Sequence, residues 1–307
     1  MNSETRVRTM INIKFTHFLF WIGVLFTVFS CSSITPLPTQ ETVKIYYEEK
    51  GEGEPILLIH GFGASTYSWR HLISKLSSTY KVIAIDLKGF GKSEKPLDER
   101  YSIHDQARIV VDFIEKKDLK NLTIIGHSYG GGVTLATTLR MQERFPNRLK
   151  RIVLIDSIAY EQKLPLFVNI LRAPLLGQLG TTVLPPEVQT RSILKLAYFD
   201  DDKILDEAVS VYAEPLRKAD GRYALLKTAE QIIPENIKSF SKRYKSILLP
   251  SLLIWGREDE IVPISIGERL SQAIPNSRFR VLENCGHIPH EEMPEETIRI
   301  IMEFLTR

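Results

Sequence analysis

The stretch "NLTIIGHSYGGGVTLATTLR", Asn121 to Arg140, decides how the chain is read. It begins as a short apolar run rich in β-branched residues, the composition of a buried strand. From Gly131 the pattern becomes helical and continues to Arg144. Ser128 stands at the junction, with Gly126 two residues before it and Gly130 two after. A strand that turns this sharply into a helix strains its turn residue, so the positions on either side have to be small.

Similar units flank this one. "PILLIHG" (Pro55 to Gly61), "KVIAIDL" (Lys81 to Leu87), "RIVLID" (Arg151 to Asp156) and "SLLIWG" (Ser251 to Gly256) are buried-strand candidates, and "RFRVL" (Arg278 to Leu282) is a final one. Helical patterns run from Tyr67 to Ser77 and from Ile103 to Lys116, and Glu295 to Leu305 closes the chain. Strands this continuously apolar suit a parallel sheet covered on both faces. The alternation of strand and helix implies an α/β fold with a mostly parallel, doubly wound sheet. "TVKIYYEEKG" (Thr42 to Gly51) alternates more strictly and suits an antiparallel edge strand. Residues 159–239 break the rhythm: they hold helical patterns interrupted by Pro165, Pro174, Pro185, Pro186 and Pro215, and no strong strand. An insertion there is expected to form a helical cap on a core made of residues 42–158 and 240–307.

Composition limits the possible functions. The 307 residues, 43% hydrophobic, can bury one large core or two modest ones. The 40 basic residues barely exceed the 37 acidic ones, so the basic stripe that a nucleic-acid binder needs is absent. Part of that excess sits at the N-terminus. There Arg6, Arg8 and Lys14 precede an apolar run from Phe15 to Ser30, which ends at Cys31. The run is shorter than the roughly 20 residues a bilayer-spanning helix needs. It is read as a signal segment over residues 1–30, followed by a polar, proline-containing tether over 31–41. "VFSC" (Val28 to Cys31) resembles the lipobox of bacterial lipoproteins, with Phe29 a departure from the usual residue type. The resemblance implies lipid attachment at Cys31, a membrane anchor and a place in a bacterial cell envelope, with a secreted or periplasmic protein as the alternative. With Cys31 lipidated, Cys285 has no partner, so no disulfide is expected. Cysteine and histidine spacings give no zinc site.

The elbow at Ser128 has the form G-x-S-x-G, and it sits where a nucleophilic serine has to sit, between a strand and a helix. The first amides of the following helix, that of Tyr129 among them, point at the serine oxygen. The pentapeptide alone is a weak signal. A serine nucleophile also needs a base, and the base needs an orienting carboxylate. "WGREDEIVP" places Asp259 just beyond a strand, and "ENCGHIPHEEMPEE" places His287 between the last strand and the last helix. Both lie at carboxyl ends of strands, where open α/β sheets assemble their sites.

Together these residues resemble the α/β-hydrolase superfamily in its capped, single-domain, esterase- and lipase-like form, over about residues 42–307. "HGFG" (His60 to Gly63) is similar to the superfamily's oxyanion turn, which implies that the Phe62 amide joins that of Tyr129. "DLKGFGKS" (Asp86 to Ser93) resembles the turn after the next strand, "GHSYGG" the nucleophile motif, and "GHIPHEEMP" the base motif. The resemblance implies a Ser128–His287–Asp259 triad that cleaves carboxylic esters through an acyl-enzyme, with no metal, no organic cofactor and no obligate protein partner. Serine at the elbow excludes the aspartate chemistry of epoxide hydrolases and haloalkane dehalogenases. Carbon-carbon bond hydrolases and cofactor-free perhydrolases keep the serine and remain alternatives, as does a ligand-sensing or scaffold member that turns over slowly.

Neighbouring residues have plainer readings. His60 is expected to fix its turn by hydrogen bonds, Trp69 to anchor a helix and Cys285 to pack. His290 is a loop contact or an alternative base, and Asp156 an alternative acid. Glu258 and Glu260 are expected to be solvated, as is "FDDD" (Phe199 to Asp202). The segment Leu164 to Pro185 carries many large apolar residues and the single charge of Arg172. Some of those side chains are expected to line the substrate site, which implies a hydrophobic, uncharged ester.

Overall fold

A computed structural model describes residues 43–306. The signal segment, the tether and Cys31 lie outside the described residues. The order of elements follows from where apolar runs give way to glycine, proline and charge. The core strands are β1 (Tyr47–Lys50), β2 (Pro55–Ile59), β3 (Lys81–Ile85), β4 (Leu122–His127), β5 (Leu149–Ile155), β6 (Ser251–Gly256) and β7 (Ser277–Leu282). They form one seven-stranded sheet in the order β1-β3-β2-β4-β5-β6-β7. β1 runs antiparallel to β3 at one edge, and the other neighbouring pairs are parallel.

Strand burial explains the composition. All six residues of β4 and of β6 are buried, because helices cover both faces of the sheet. Edge strands differ: β1 is exposed throughout and carries Glu48, Glu49 and Lys50, and β7 alternates, with Arg278 and Arg280 outward. Charge on an edge discourages pairing with another chain. The antiparallel edge strand expected over 42–51 is thus confined to its last residues.

Two helical layers pack on the sheet. Leu57 and Ile59 of β2 face α2 (Ile103–Lys116) and α3 (Tyr129–Arg144). Ile56 and Leu58 of the same strand face α1 (Arg70–Leu76) and the last helix of the chain. Fully burying such a side chain contributes about 1.5–3 kcal/mol. α2 starts cleanly, since Ser102 and Asp105 form a reciprocal capping box there, worth about 1 kcal/mol.

Between β5 and β6 the chain makes only helices: α4 (Leu166–Arg172), α5 (Pro174–Val183), α6 (Pro186–Ala197), α7 (Asp206–Ala213), α8 (Ala219–Glu230) and α9 (Ile237–Ser241). Pro174 and Pro186 do not interrupt helices but open them, at the position where a missing N–H costs nothing. Three helices complete the chain: α10 (Ile264–Ala273), α11 (Pro289–Glu292) and α12 (Pro294–Leu305). No helix among the described residues is long and apolar enough to cross a membrane.

The sheet reverses its order of growth at β2, which has β3 on one side and β4 on the other. A crevice opens at the carboxyl ends of strands at such a point. The loop after β2 meets the elbow after β4 there, and the fit leaves no room for a side chain on the elbow glycine. A Cβ on Gly130 would stand 2.2 Å from the Ile59 carbonyl oxygen, and one on Gly126 would stand 2.5 Å from that of Gly130. Gly130→Ala is therefore expected to lower the unfolding free energy by about 1–3 kcal/mol, an overpacking cost. The urea midpoint should fall at unchanged slope; a wild-type midpoint would contradict this close approach.

Candidate active site

Ser128 follows β4 directly and caps α3, with φ 52° and ψ −117°. A non-glycine residue in that region costs about 1–3 kcal/mol unless its surroundings hold it there. Here the surroundings do. The Ser128 amide donates to the Ile155 carbonyl, and the Ser128 carbonyl accepts from the amides of Gly131, Gly132 and Ile158. Neighbouring strand and helix thus fix the turn from both sides.

Three side chains then form one hydrogen-bonded line. Ser128 Oγ is 2.8 Å from His287 Nε2, and His287 Nδ1 is 2.8 Å from Asp259 Oδ2. The pairing sets the tautomer: Nδ1–H donates to the carboxylate, and Nε2 accepts from the serine hydroxyl. Asp259 Oδ1 accepts from the amides of Ile261 and Val262, each at 2.8 Å, so both carboxylate oxygens are engaged. All three side chains are buried. A hydroxyl placed on an imidazole that is itself oriented by a carboxylate is the arrangement that activates an oxygen nucleophile.

The two expected amide donors stand beside this line. Tyr129 is the first residue of α3, so its N–H has no carbonyl one helical turn back to bond. The turn after β2 abuts the serine: a Cβ on Gly61 would lie 3.3 Å from Ser128 Cβ, and Phe62 follows on the pocket wall. His60 holds that turn. Its Nδ1–H donates to the Gly61 carbonyl at 2.7 Å, and its Nε2 accepts from the Leu87 amide at 3.0 Å. Asp86 braces the next turn, its carboxylate accepting from the amides of Thr66 at 2.6 Å and Lys92 at 2.7 Å.

Asp156, the other strand-end acid, lies next to Asp259 but does not replace it. Its Oδ1 accepts from the Gly256 amide at 3.0 Å, while its Oδ2 meets no donor. Burial pushes its carboxyl well above the usual carboxylate range, and the facing Asp259 adds to the effect. Asp259 gathers three N–H donors, while burial favours the neutral form of Asp156 beside it.

His290 is buried away from the serine of the elbow. Its ring stacks on Trp69 at 4.4 Å between centroids and its Nε2 meets Ser68 Oγ at 2.9 Å. Cys285 is buried and its thiol is pushed up by burial, so it packs. Glu258 departs from the expectation of a solvated side chain, since its Oε2 accepts from the Cys285 amide at 2.9 Å and steadies the loop before His287.

Two adjacent glutamates, Glu291 and Glu292, also brace the site. Glu291 accepts from Ser68 Oγ at 2.7 Å, Tyr212 Oη at 2.6 Å and Arg70 at 2.6 Å. Glu292 accepts from the Gly286 amide at 2.7 Å and from the amides of Phe199 and Asp200 at 3.0 and 2.9 Å. The His287 amide itself donates to the Ala197 carbonyl at 2.6 Å. The loop carrying the histidine is thereby tied to the segment joining α6 and α7. Two glutamates in a loop that supplies a histidine were the available signal, but nothing in sequence showed which amides they would meet.

Above Ser128 lies a cleft of about 1190 Å³, its mouth included. Its walls come from the loop after β2 and from the inserted helices, with Phe167, Val168, Leu171, Leu194 and Leu216 among the apolar contributors. Among the described residues no lysine or arginine lines it, and Glu291, which does, is already paired with Arg70.

A doubly wound sheet with this line of side chains at its switch point defines a hydrolase of the α/β type. The chain belongs to the family described as alpha/beta hydrolase fold, whose model matches residues 54–294. It is 31% identical over 275 residues to an uncharacterized hydrolase, YugF, of Bacillus subtilis, covering 87% of this chain and 96% of that protein. It is 30% identical over 267 residues to 2-hydroxymuconate semialdehyde hydrolase of Pseudomonas putida, covering 84% and 89% of the two chains. Among solved structures it is similar to a meta-cleavage product hydrolase from Pseudomonas fluorescens IP01, with a TM-score of 0.72 at 27% identity over 86% of this chain and 94% of that one.

The buried titratable groups around the site give a pH dependence of stability. Burial pushes His60, His127 and His290 below the ordinary imidazole value; nearby imidazoles add to this at His127, and Arg70 and other imidazoles at His290. These rings are neutral in the folded chain but gain protons in the unfolded chain below about pH 6.5. The stability they carry is present above that pH and is lost as pH falls. Asp156 acts oppositely: the unfolded chain releases its proton above about pH 3.9, so stability is lost as pH rises toward the raised folded value. As pH falls below about 6.5 the unfolded chain should bind more protons than the folded one through these rings, and the unfolding free energy should fall. Asp156→Asn should steepen the fall, because it removes the group that acts in the opposite sense. Denaturant titrations across the range check both slopes, and a flat wild-type profile would contradict neutral buried imidazoles.

Proposed function

We propose that the chain hydrolyses hydrophobic, uncharged carboxylic esters through an acyl-enzyme on Ser128. The carrying observation is the Ser128–His287–Asp259 line at 2.8 Å spacings beneath an apolar cleft without a cation. His287 takes the Ser128 proton as Oγ attacks the ester carbonyl, and Asp259 stabilises the imidazolium that forms. The amides of Phe62 and Tyr129 receive the developing oxyanion, each worth about 3 kcal/mol by analogy with other such donors. His287 then protonates the leaving alcohol, and later deprotonates the water that releases the acid.

Carbon-carbon bond hydrolysis is the second reading, and the name of the Pseudomonas putida relative favours it. Other relatives carry names such as 2-hydroxy-6-oxo-2,4-heptadienoate hydrolase, whose substrate is a carboxylate. The cleft here offers such an anion no lysine or arginine, and leaves an apolar wall in its place. That contrast supports the ester reading.

The test is a series of acetate, butyrate and octanoate esters of one alcohol, run beside a carboxylate-bearing ester and a dienoate. Efficiency should hold or rise with acyl length and be poorest on the anions; highest kcat/KM on an anionic substrate would overturn the reading. Ser128→Ala should cut turnover by about 10⁴-fold or more, and Asp259→Asn by roughly 10³ to 10⁴. Asp156→Asn should change it far less, because an amide can stand beside Asp259 as the neutral acid does. The reverse ranking of the two aspartates would move the orienting role to β5.

We also propose that Cys31 carries lipid and anchors the protein at a bacterial envelope membrane. The support is in sequence: three cations, a short apolar run and a cysteine after Ser30. In a bacterial host, wild-type chain should incorporate a fatty-acid analogue and Cys31→Ala should not. Absence of label on the wild type would overturn this.

A further inference from the structure

The inserted helices present an outer face that the ester chemistry leaves unused. On α5, Gly177 and Thr181 point inward and are buried, while Leu175, Leu176, Leu179 and Val183 share the opposite side. Leu175 is 84% exposed and Val183 67%. On α4, Val168 and Leu171 face the cleft, and Leu166 and Ile170 face out, Leu166 with 76% exposure. Six large apolar side chains on two consecutive helices are thus turned to solvent, where soluble monomers seldom gather much apolar surface. The only charge between Leu164 and Pro186 is Arg172, a cation.

We propose that this outer face of α4 and α5 docks on a phospholipid bilayer. Three observations select that occupant. The stretch that carries the face, Leu164 to Pro186, has no carboxylate that lipid phosphates would repel. Large apolar side chains along one side of a helix form the kind of surface that lies in a membrane interface. The chain before Val43 carries the apolar run ending at Cys31; with Cys31 lipidated, the intervening residues reach at most about 40 Å when fully extended. α4 is also one wall of the cleft, so a bilayer on its outer side lies about one helix diameter, roughly 10 Å, from the pocket. Docking therefore brings apolar esters dissolved in the membrane next to the cleft. The proposal builds on lipidation of Cys31 and does not depend on which bond is cleaved.

The test uses the full chain on vesicles of phosphatidylcholine containing phosphatidylglycerol. A bimane dye on Leu179→Cys should be quenched by nitroxide-labelled lipids, and the same dye on Lys120→Cys, before the far end of β4, should not. No quenching at position 179 overturns the proposal, whether a second copy or another segment of the chain covers the face. The triple variant L175S/L179S/V183S should lose at least tenfold in hydrolysis of a vesicle-borne long-chain ester, with kcat/KM on a soluble butyrate ester unchanged. Equal rates for variant and wild type on the vesicle-borne ester overturn it. So does a wild-type dimer, seen by sizing, that the triple variant converts to a monomer. If no ester is cleaved at all, the ester reading fails, and the dye still decides the docking.

Discussion

The molecule depends on holding one serine in a backbone conformation it would not choose. Ser128 sits at positive φ between a fully buried strand and a helix, and every structural choice nearby keeps it there. Glycine at 130 lets the loop after β2 close onto the elbow, glycine at 126 lets the start of α3 close onto β4, and the Ile155 carbonyl holds the turn from the other side. The cost is local and the compensation is spread over the core, where apolar strands covered on both faces supply the free energy. In return the hydroxyl is fixed at the one point of the sheet where strand order reverses, and loops from four strands can reach it.

The electrostatics divide roles between groups of the same type. Asp259 gathers three N–H donors while Asp156, one strand away, receives one, and burial favours its neutral form. His287 has partners on both ring nitrogens, while His127 and His290 each keep an unpartnered Nδ1 among apolar and aromatic neighbours. Residues identical in kind thus meet different surroundings: backbone amides after β6 reach one aspartate and not the other, and burial disfavours the charged form of His127 and His290.

Strands and elbow were legible in sequence because both have strict requirements. A strand covered on both faces needs a continuous apolar run, and a left-handed serine turn needs small neighbours. The order of Ser128, Asp259 and His287 along the chain could be read for the same reason. α10 was not legible: it buries only Ile266, Gly267 and Leu270, too few positions to mark a period. Motif and chain order favoured Asp259 over Asp156, but adjacent strands end in both, and the physical difference, the path of the backbone after β6 that brings two amides to Asp259, is seen only in the structure. The inserted helices were legible as helical and apolar, but proline restarts the helical phase at 174 and 186, so inward and outward leucines could not be told apart.

The bond from the His287 amide to the Ala197 carbonyl bears on how the cleft can open. Glu292 reinforces it by holding Gly286 on one side and Phe199 and Asp200 on the other. The junction of α6 and α7 is therefore a hinge post rather than a door. If that junction swung outward it would drag the imidazole away from the serine oxygen. Among the described residues no hydrogen bond ties the α4–α5 pair to the histidine loop; the pair packs on α8 instead. A displacement confined to that pair would leave the imidazole on the serine oxygen.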